Sequence, residues 1–230
     1  MIRVVIRRRL VALGLAAIVG GGLVPAASLV LEGPSRASPS SSAALLVSQG
    51  KEREAAGDEL TALKRYGDAL SMDPTSEDAY LALGNLRTKR NELGEAEEVY
   101  GHALAHLPGS VVLTLYRARV RRLAGKLADA AEDLSHARDA IAFDGSKLER
   151  QLLQEIIALK RLQGEPAPQL AAWRRLLSIA RSDADEAAIK EASIQARALG
   201  IYVGEVDPVL LGRKDPDVVR KALAAIARRQ

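Results

Sequence analysis

The sequence predicts an all-α protein: a solenoid of stacked helix–turn–helix repeats closed by C-terminal capping helices. Three observations carry this expectation. The chain is 48% hydrophobic but only 3% aromatic, which is poor in the residues that strands of a sandwich or barrel prefer, while Ala, Leu and Arg favour helix. Six positions recur in phase at a 34-residue spacing, the mark of a stacked array. No cysteine is present, so there is no disulfide framework, thiol nucleophile or Cys-ligated metal centre, and packing alone must hold the fold.

In chain order, Met1–Arg9 is basic, and Leu10–Leu31 follows without a charge, rich in Leu, Val, Ala and Gly. Positive charge, an apolar stretch and small residues such as Ala26-Ala27-Ser28 form an export leader. The leader is either cleaved after Ser28 or retained as a membrane anchor through residues 10–31. Both routes export the body, because the arginines stay inside. Pro- and Ser-rich residues 32–42 read as a flexible linker. The leader also explains the net charge of +4: of 33 bases and 29 acids, five bases and one acid precede Ser38, leaving 28 of each. The neutral body lacks the basic footprint of a nucleic-acid binder.

The repeats occupy 43–76, 77–110 and 111–144. Position 8 is Gly50, Gly84 and Ala118; position 20 is Ala62, Ala96 and Ala130; position 24 is Tyr66, Tyr100 and Leu134; position 27 is Ala69, Ala103 and Ala137. Positions 20, 24 and 27 share one helical face. The small residues let two helices approach closely, and the larger residue at 24 fills the space between them. Gly57, Asn91 and Gly125 at position 15 suit a left-handed residue ending the first helix. Pro74 and Pro108 at position 32 stop the second. Past Asp144 the register slips by about five residues. A degenerate fourth unit over 145–182 then has a longer first helix, about Ser146–Leu162, a turn at Gly164–Pro168, and Trp173 at position 24. Residues 183–230 are expected to cap the stack, with a helix over Asp183–Leu199 stopped by Gly200. Ala187, Ile194 and Ala198 would face inward on it. A last amphipathic helix starts at Asp215-Pro216 with Val219, Leu223 and Ile226 on its apolar face.

Tyr80, Leu83-Gly84, Ala96, Tyr100, Ala103 and Pro108 in the second block carry a resemblance to the tetratricopeptide repeat family, strong over about 100 residues. The resemblance implies a tetratricopeptide-type α-solenoid that binds a protein or peptide on the concave face lined by first helices. It also implies groove contacts at Val47, Lys51 and Glu54, at Leu81, Asn85, Thr88 and Lys89, and at Leu115, Arg119, Arg122 and Leu123. Gln154 and Arg161 would extend this surface. Lys51, Lys89, Arg119 and Arg122 would make one wall basic, Asn85 would hold a peptide backbone, and Leu81 and Leu115 would offer apolar contact. That surface suits a partner segment with acidic and apolar residues. The family's two-carboxylate clamp is not matched, since its positions hold Val47, Lys51, Ala82, Val112 and Tyr116.

Catalytic motifs are missing: there is no GxSxG, GxxxxGK[ST] or GxGxxG. His102 and His106 have the four-residue spacing of a metal pair, but no acid stands between them as in HExxH, and His102 and His136 share an outward repeat position. The carboxylates read mostly as solvated faces. The expectation is a non-catalytic, exported scaffold in the periplasm or cell envelope, needing no metal or cofactor. A self-associating assembly factor using the terminal helix, and a metal-binding accessory using the His102/His106 pair, are the alternatives.

Overall fold

The computed structural model describes residues 39–202. The leader, most of the linker and the helix expected from Asp215 lie outside the described residues. Among the described residues there are nine helices and no strand: α1 Pro39–Ala55, α2 Glu59–Met72, α3 Glu77–Lys89, α4 Leu93–His106, α5 Val111–Leu123, α6 Leu127–Ala140, α7 Lys147–Leu162, α8 Pro166–Ser182 and α9 Glu186–Tyr202. None is long and apolar enough to cross a membrane. α1 begins four residues inside the segment read as linker. Proline suits a helix's first turn, where its missing N–H needs no partner, and Ala43 one turn later is buried.

The helices pair as the 34-residue period requires. α1 packs on α2, α3 on α4, α5 on α6, α7 on α8, and α9 on α8. The first helices α1, α3, α5 and α7 also pack directly on one another in sequence, whereas the second helices make no comparable contact. First helices therefore form the inner layer of the stack and second helices the outer one.

Local chemistry explains the boundaries. Gly57, Asn91, Gly125 and Gly164 close α1, α3, α5 and α7 with φ of 81, 61, 78 and 70°, the left-handed residue expected at position 15. The hydroxyls of Ser76, Ser110 and Ser146 cap α3, α5 and α7 by accepting from Ala79, Leu113 and Glu149 N–H groups. Asp58 does the same for α2 through Thr61. Pro74 and Pro108 sit in the connections 73–76 and 107–110.

The slip past Asp144 has a structural origin. The left-handed residues that close first helices lie 34 apart up to Gly125, and the next to close one is Gly164. Two of the five extra residues enter the connection 141–146, which replaces the four-residue connections before it, and three lengthen α7 to 16 residues from the 13 of α5. Two expected boundaries are corrected. Pro166 opens α8, so Pro168 belongs to its first turn rather than to the preceding loop. Gly200 does not stop α9, which runs to Tyr202 with Ala198, Leu199 and Gly200 buried. Packing of this small-residue face outweighs the roughly 1 kcal/mol that a mid-helix glycine costs. The turn before α9 uses Asp183 to end α8, Ala184 at a φ of 55°, and Asp185, whose carboxylate accepts from Ala188 N–H. Ala187 consequently starts the helix on its exposed side rather than facing inward.

The core consists of four clusters of buried residues along the stack, and in the first two hairpins a glycine faces a tyrosine at close range. A Cβ built on Gly50 would lie 2.3 Å from Tyr66 Cε1, and one on Gly84 would lie 2.4 Å from Tyr100 Cζ. Each tyrosine ring therefore occupies the space left by the glycine opposite. The Tyr66 hydroxyl donates to Glu54 at 3.0 Å and the Tyr100 hydroxyl to Asn85 at 3.2 Å. In the third hairpin Ala118 and Leu134 share a buried cluster instead.

Burial drives the phenol groups of Tyr66, Tyr80 and Tyr100 above the ordinary tyrosine range. Each contributes stability that is full below the unfolded pKa of about 10 and is lost as pH rises beyond it. In an alkaline titration followed by phenolate absorbance and circular dichroism, these three should ionise only as helix is lost. Reversible ionisation of all five tyrosines near pH 10 with helix intact would contradict the packing.

Candidate functional site: the first-helix face

The 34-residue period carries position 9 from α1 to α3 to α5, placing Lys51, Asn85 and Arg119 on successive inner helices. Lys51 and Asn85 are exposed and Arg119 is half-exposed. Lys51 has no ion-pair partner among the described residues. Asn85 accepts from Tyr100 through its amide oxygen, so its amide N–H groups remain available as donors. The Arg119 guanidinium lies 5.4 Å from the centroid of the Tyr116 ring, within cation–π distance. Its Nε donates to Glu155 of α7.

Glu155 is the residue that sequence reasoning missed. It is 4% exposed and also receives Arg122 through Nε at 2.9 Å and Nη2 at 2.8 Å. One buried carboxylate thus ties α5 to α7 through two of the arginines assigned to the basic wall. Lys89 is similarly shared between Glu54 at 3.6 Å and Glu59 at 3.8 Å. The wall is therefore largely charge-compensated, and the correction has a simple cause: side chains this close to buried or half-buried carboxylates pair with them before any partner arrives. A signal existed. Glu155 sits at helical spacing between Leu152 and Leu159, both buried, so the acid lies on the apolar stripe of α7.

Position 5 also departs from expectation. Val47 and Leu115 are 4% and 3% exposed and belong to the core, while Leu81 is half-buried against the Tyr80–Tyr100 cluster. Leu115 is thus no groove contact. Position 5 is apolar in all three repeats and lies three residues before position 8, which is core spacing. Thr88 donates to the Gly84 carbonyl, while Leu123, Gln154 and Arg161 are exposed.

The third and fourth units carry two further buried acids. Asp133, 1% exposed, receives Arg117 at 2.6 and 3.0 Å and Arg121 at 2.9 Å. Arg117, which stands 34 residues after Leu83 of the second repeat, is thereby paired within the stack. Glu149 is fully buried and receives Arg175 at 2.6 and 3.0 Å and Gly145 N–H at 2.6 Å. Arg175 holds the Glu149 carboxyl below the usual range against the opposing effect of burial. Asp133, Glu149 and Glu155 are not solvated faces, as the sequence suggested; each is a staple between helices. The histidines are separate surface features. His106 stacks on Tyr80 with centroids 6.4 Å apart, and His136 lies 3.8 Å from Glu132. No group of three metal-ligating residues is present among the described residues.

The tetratricopeptide repeat family model matches residues 54–118. A tetratricopeptide repeat protein from Parabacteroides merdae superposes with a TM-score of 0.57 at 14% identity, covering 82% of this chain and 73% of that one. The fold is that of a tetratricopeptide-type α-solenoid. The structure of Pseudomonas aeruginosa pilF gives a TM-score of 0.54 at 15% identity, with 83% and 92% covered. YrrB, described as a tetratricopeptide repeat protein with an unusual peptide-binding site, gives 0.50 at 16% identity, with 80% and 84% covered. None of the curated proteins matches the chain. At these identities the solved structures establish the tetratricopeptide-type fold alone.

Removing the Glu155 carboxylate leaves two arginines beside an apolar floor. Glu155→Ala should lower unfolding free energy by roughly 2–4 kcal/mol in urea denaturation, and Glu155→Gln by less. A loss under about 0.5 kcal/mol, the level of an ordinary surface change, would show that the staple contributes nothing.

Proposed function

We propose that this protein is a non-catalytic scaffold, exported to the cell envelope, that holds an acidic segment of a partner protein on its first-helix face. The observation that carries the reading is the row Lys51–Asn85–Arg119. All three are hydrogen-bond donors, they recur at one repeat position, and Arg119 is preset by Glu155 and the Tyr116 ring. A preset donor loses less conformational freedom on binding. Packed helices stand about 8–10 Å apart, and an extended chain advances about 3.3 Å per residue. Successive donors therefore suit acceptor side chains about every third residue of an extended partner. Leu81, Tyr116 and Leu123 border the row with apolar surface. Export rests on the basic and apolar leader and is supported by nothing else in the chain.

The test must spare the staples, since Arg119→Glu would put a second carboxylate beside Glu155. Lys51→Glu/Asn85→Asp leaves every buried pair in place, because an aspartate oxygen still accepts from the Tyr100 hydroxyl while the amide donors are removed. Crosslinked pull-downs from envelope fractions should recover a partner with the parent chain and lose it with the double variant, at unchanged melting temperature. Equal recovery by both chains contradicts the assignment of the face, and a partner found only in cytosolic fractions contradicts export.

A further inference from the structure

The lengthened connection 141–146 and the lengthened α7 both line a cleft that also borders α6 and α8. The cleft is open and has a volume of about 510 Å³. Leu153 and Ile156 of α7 line it together with Leu134 of α6 and Ala171 of α8, and Phe143 of the 141–146 connection is also among its lining residues. Phe143 is the chain's single phenylalanine and is 56% exposed. An exposed aromatic beside an apolar trough is the composition of an interface centre rather than of ordinary surface.

The charged side chains lining the cleft are all of one sign: Arg138, Lys160 and Arg175, with no carboxylate among the lining residues. Their acidic partners lie elsewhere. Arg175 rests on the buried Glu149, Lys160 reaches Glu165 at 3.0 Å, and Arg138 has only the adjacent Asp139 at 3.5 Å, with both of these side chains more than half exposed. Fixed cations around an apolar floor select a ligand with the reverse pattern. Because Phe143 and Arg138 stay largely in water, the site is a trough to be lain across, not a chamber that encloses a small molecule.

We propose that the α6–α7–α8 cleft is a second docking surface, which takes an amphipathic helix of a partner protein whose apolar residues enter between α6 and α8 and whose flanking acids meet Arg138 and Lys160. Helices dock this way through side chains at i, i+3, i+4 and i+7. The proposal stands independently of the first-helix face, from which α7 separates the cleft. The chain's own residues 203–230 are a poor occupant by charge, since they carry six bases and four acids.

The test uses the full chain and two labelled synthetic helical peptides with the same leucine spacing, one with Glu and one with Lys at the remaining positions. Fluorescence anisotropy should show saturable binding of the Glu peptide and at least about tenfold weaker binding of the Lys peptide. Ala171→Trp, which fills the trough from an exposed position, and Arg138→Glu, which reverses the edge charge, should each weaken the Glu peptide about tenfold or more. Lys51→Glu on the other face should leave it unchanged. Equal affinity for the two peptides, indifference to both cleft variants, or no saturable binding up to about 1 mM would each overturn the proposal. So would binding that appears only after residues 203–230 are removed, which would make the tail the occupant. Concentration-dependent self-association abolished by Ala171→Trp would assign the cleft to a second copy and overturn it equally.

Discussion

Everything in this stack depends on how closely the two helices of a hairpin can approach. In the first two hairpins that approach is set by one pair: a glycine on the first helix and a tyrosine on the second, with the ring lying where any Cβ would have to go. The pairing is steric before it is anything else. The ring buries apolar area, and its hydroxyl finds Glu54 or Asn85 on the helix it packs against, so the polar end is satisfied without opening the contact. Alanines at positions 20 and 27, all buried, keep the second helix flat enough for this to happen. The third hairpin changes both members of the pair together, to Ala118 and Leu134: the first helix gains a methyl group where the second carries a smaller aliphatic side chain in place of the ring.

Where shape is relaxed, charge takes over. From the third repeat onward no tyrosine is seated against a glycine among the described residues. The helices are joined instead by Asp133, Glu149 and Glu155, each buried and each held by one or two arginines. Such pairs gain little net stability over apolar packing, but they are costly to break and tolerate only one geometry. That property suits a junction where the repeat length changes. The buried pairs touch both sides of the stack: Glu155 compensates arginines of the first-helix face, and Arg175, which rests on Glu149, lines the cleft between α6 and α8.

The architecture was legible because it is periodic. Gly50, Gly84 and the tyrosines 16 residues later repeat in phase, and Gly57, Asn91 and Gly125 announced left-handed turns that the backbone adopts. The five-residue slip was legible for the same reason, and so was the longer first helix that follows it, expected over about Ser146–Leu162 and observed as α7 Lys147–Leu162. The site was less readable. Position 9 was identified correctly as outward and polar, but Leu115 at position 5 was assigned to the groove although its apolar identity in every repeat marks it as core. The buried acids escaped because each finds its arginine on another helix, 12 to 36 residues away, and no local spacing reports such a pair. Gly200 illustrates a different limit: a glycine's intrinsic preference yields to the packing of α9 on α8, which only tertiary structure reveals.

The most direct measurement is a double-mutant cycle at Gly84 and Tyr100, read by urea denaturation of the full chain. Gly84→Ala alone should cost about 1–3 kcal/mol through overpacking, and Tyr100→Leu alone a similar amount through lost burial. The double variant, which recreates the pair used by the third repeat, should be more stable than the sum of the two losses by at least about 1 kcal/mol. Strict additivity would contradict the account, because it would mean that ring and glycine do not share the space on which the stack is built.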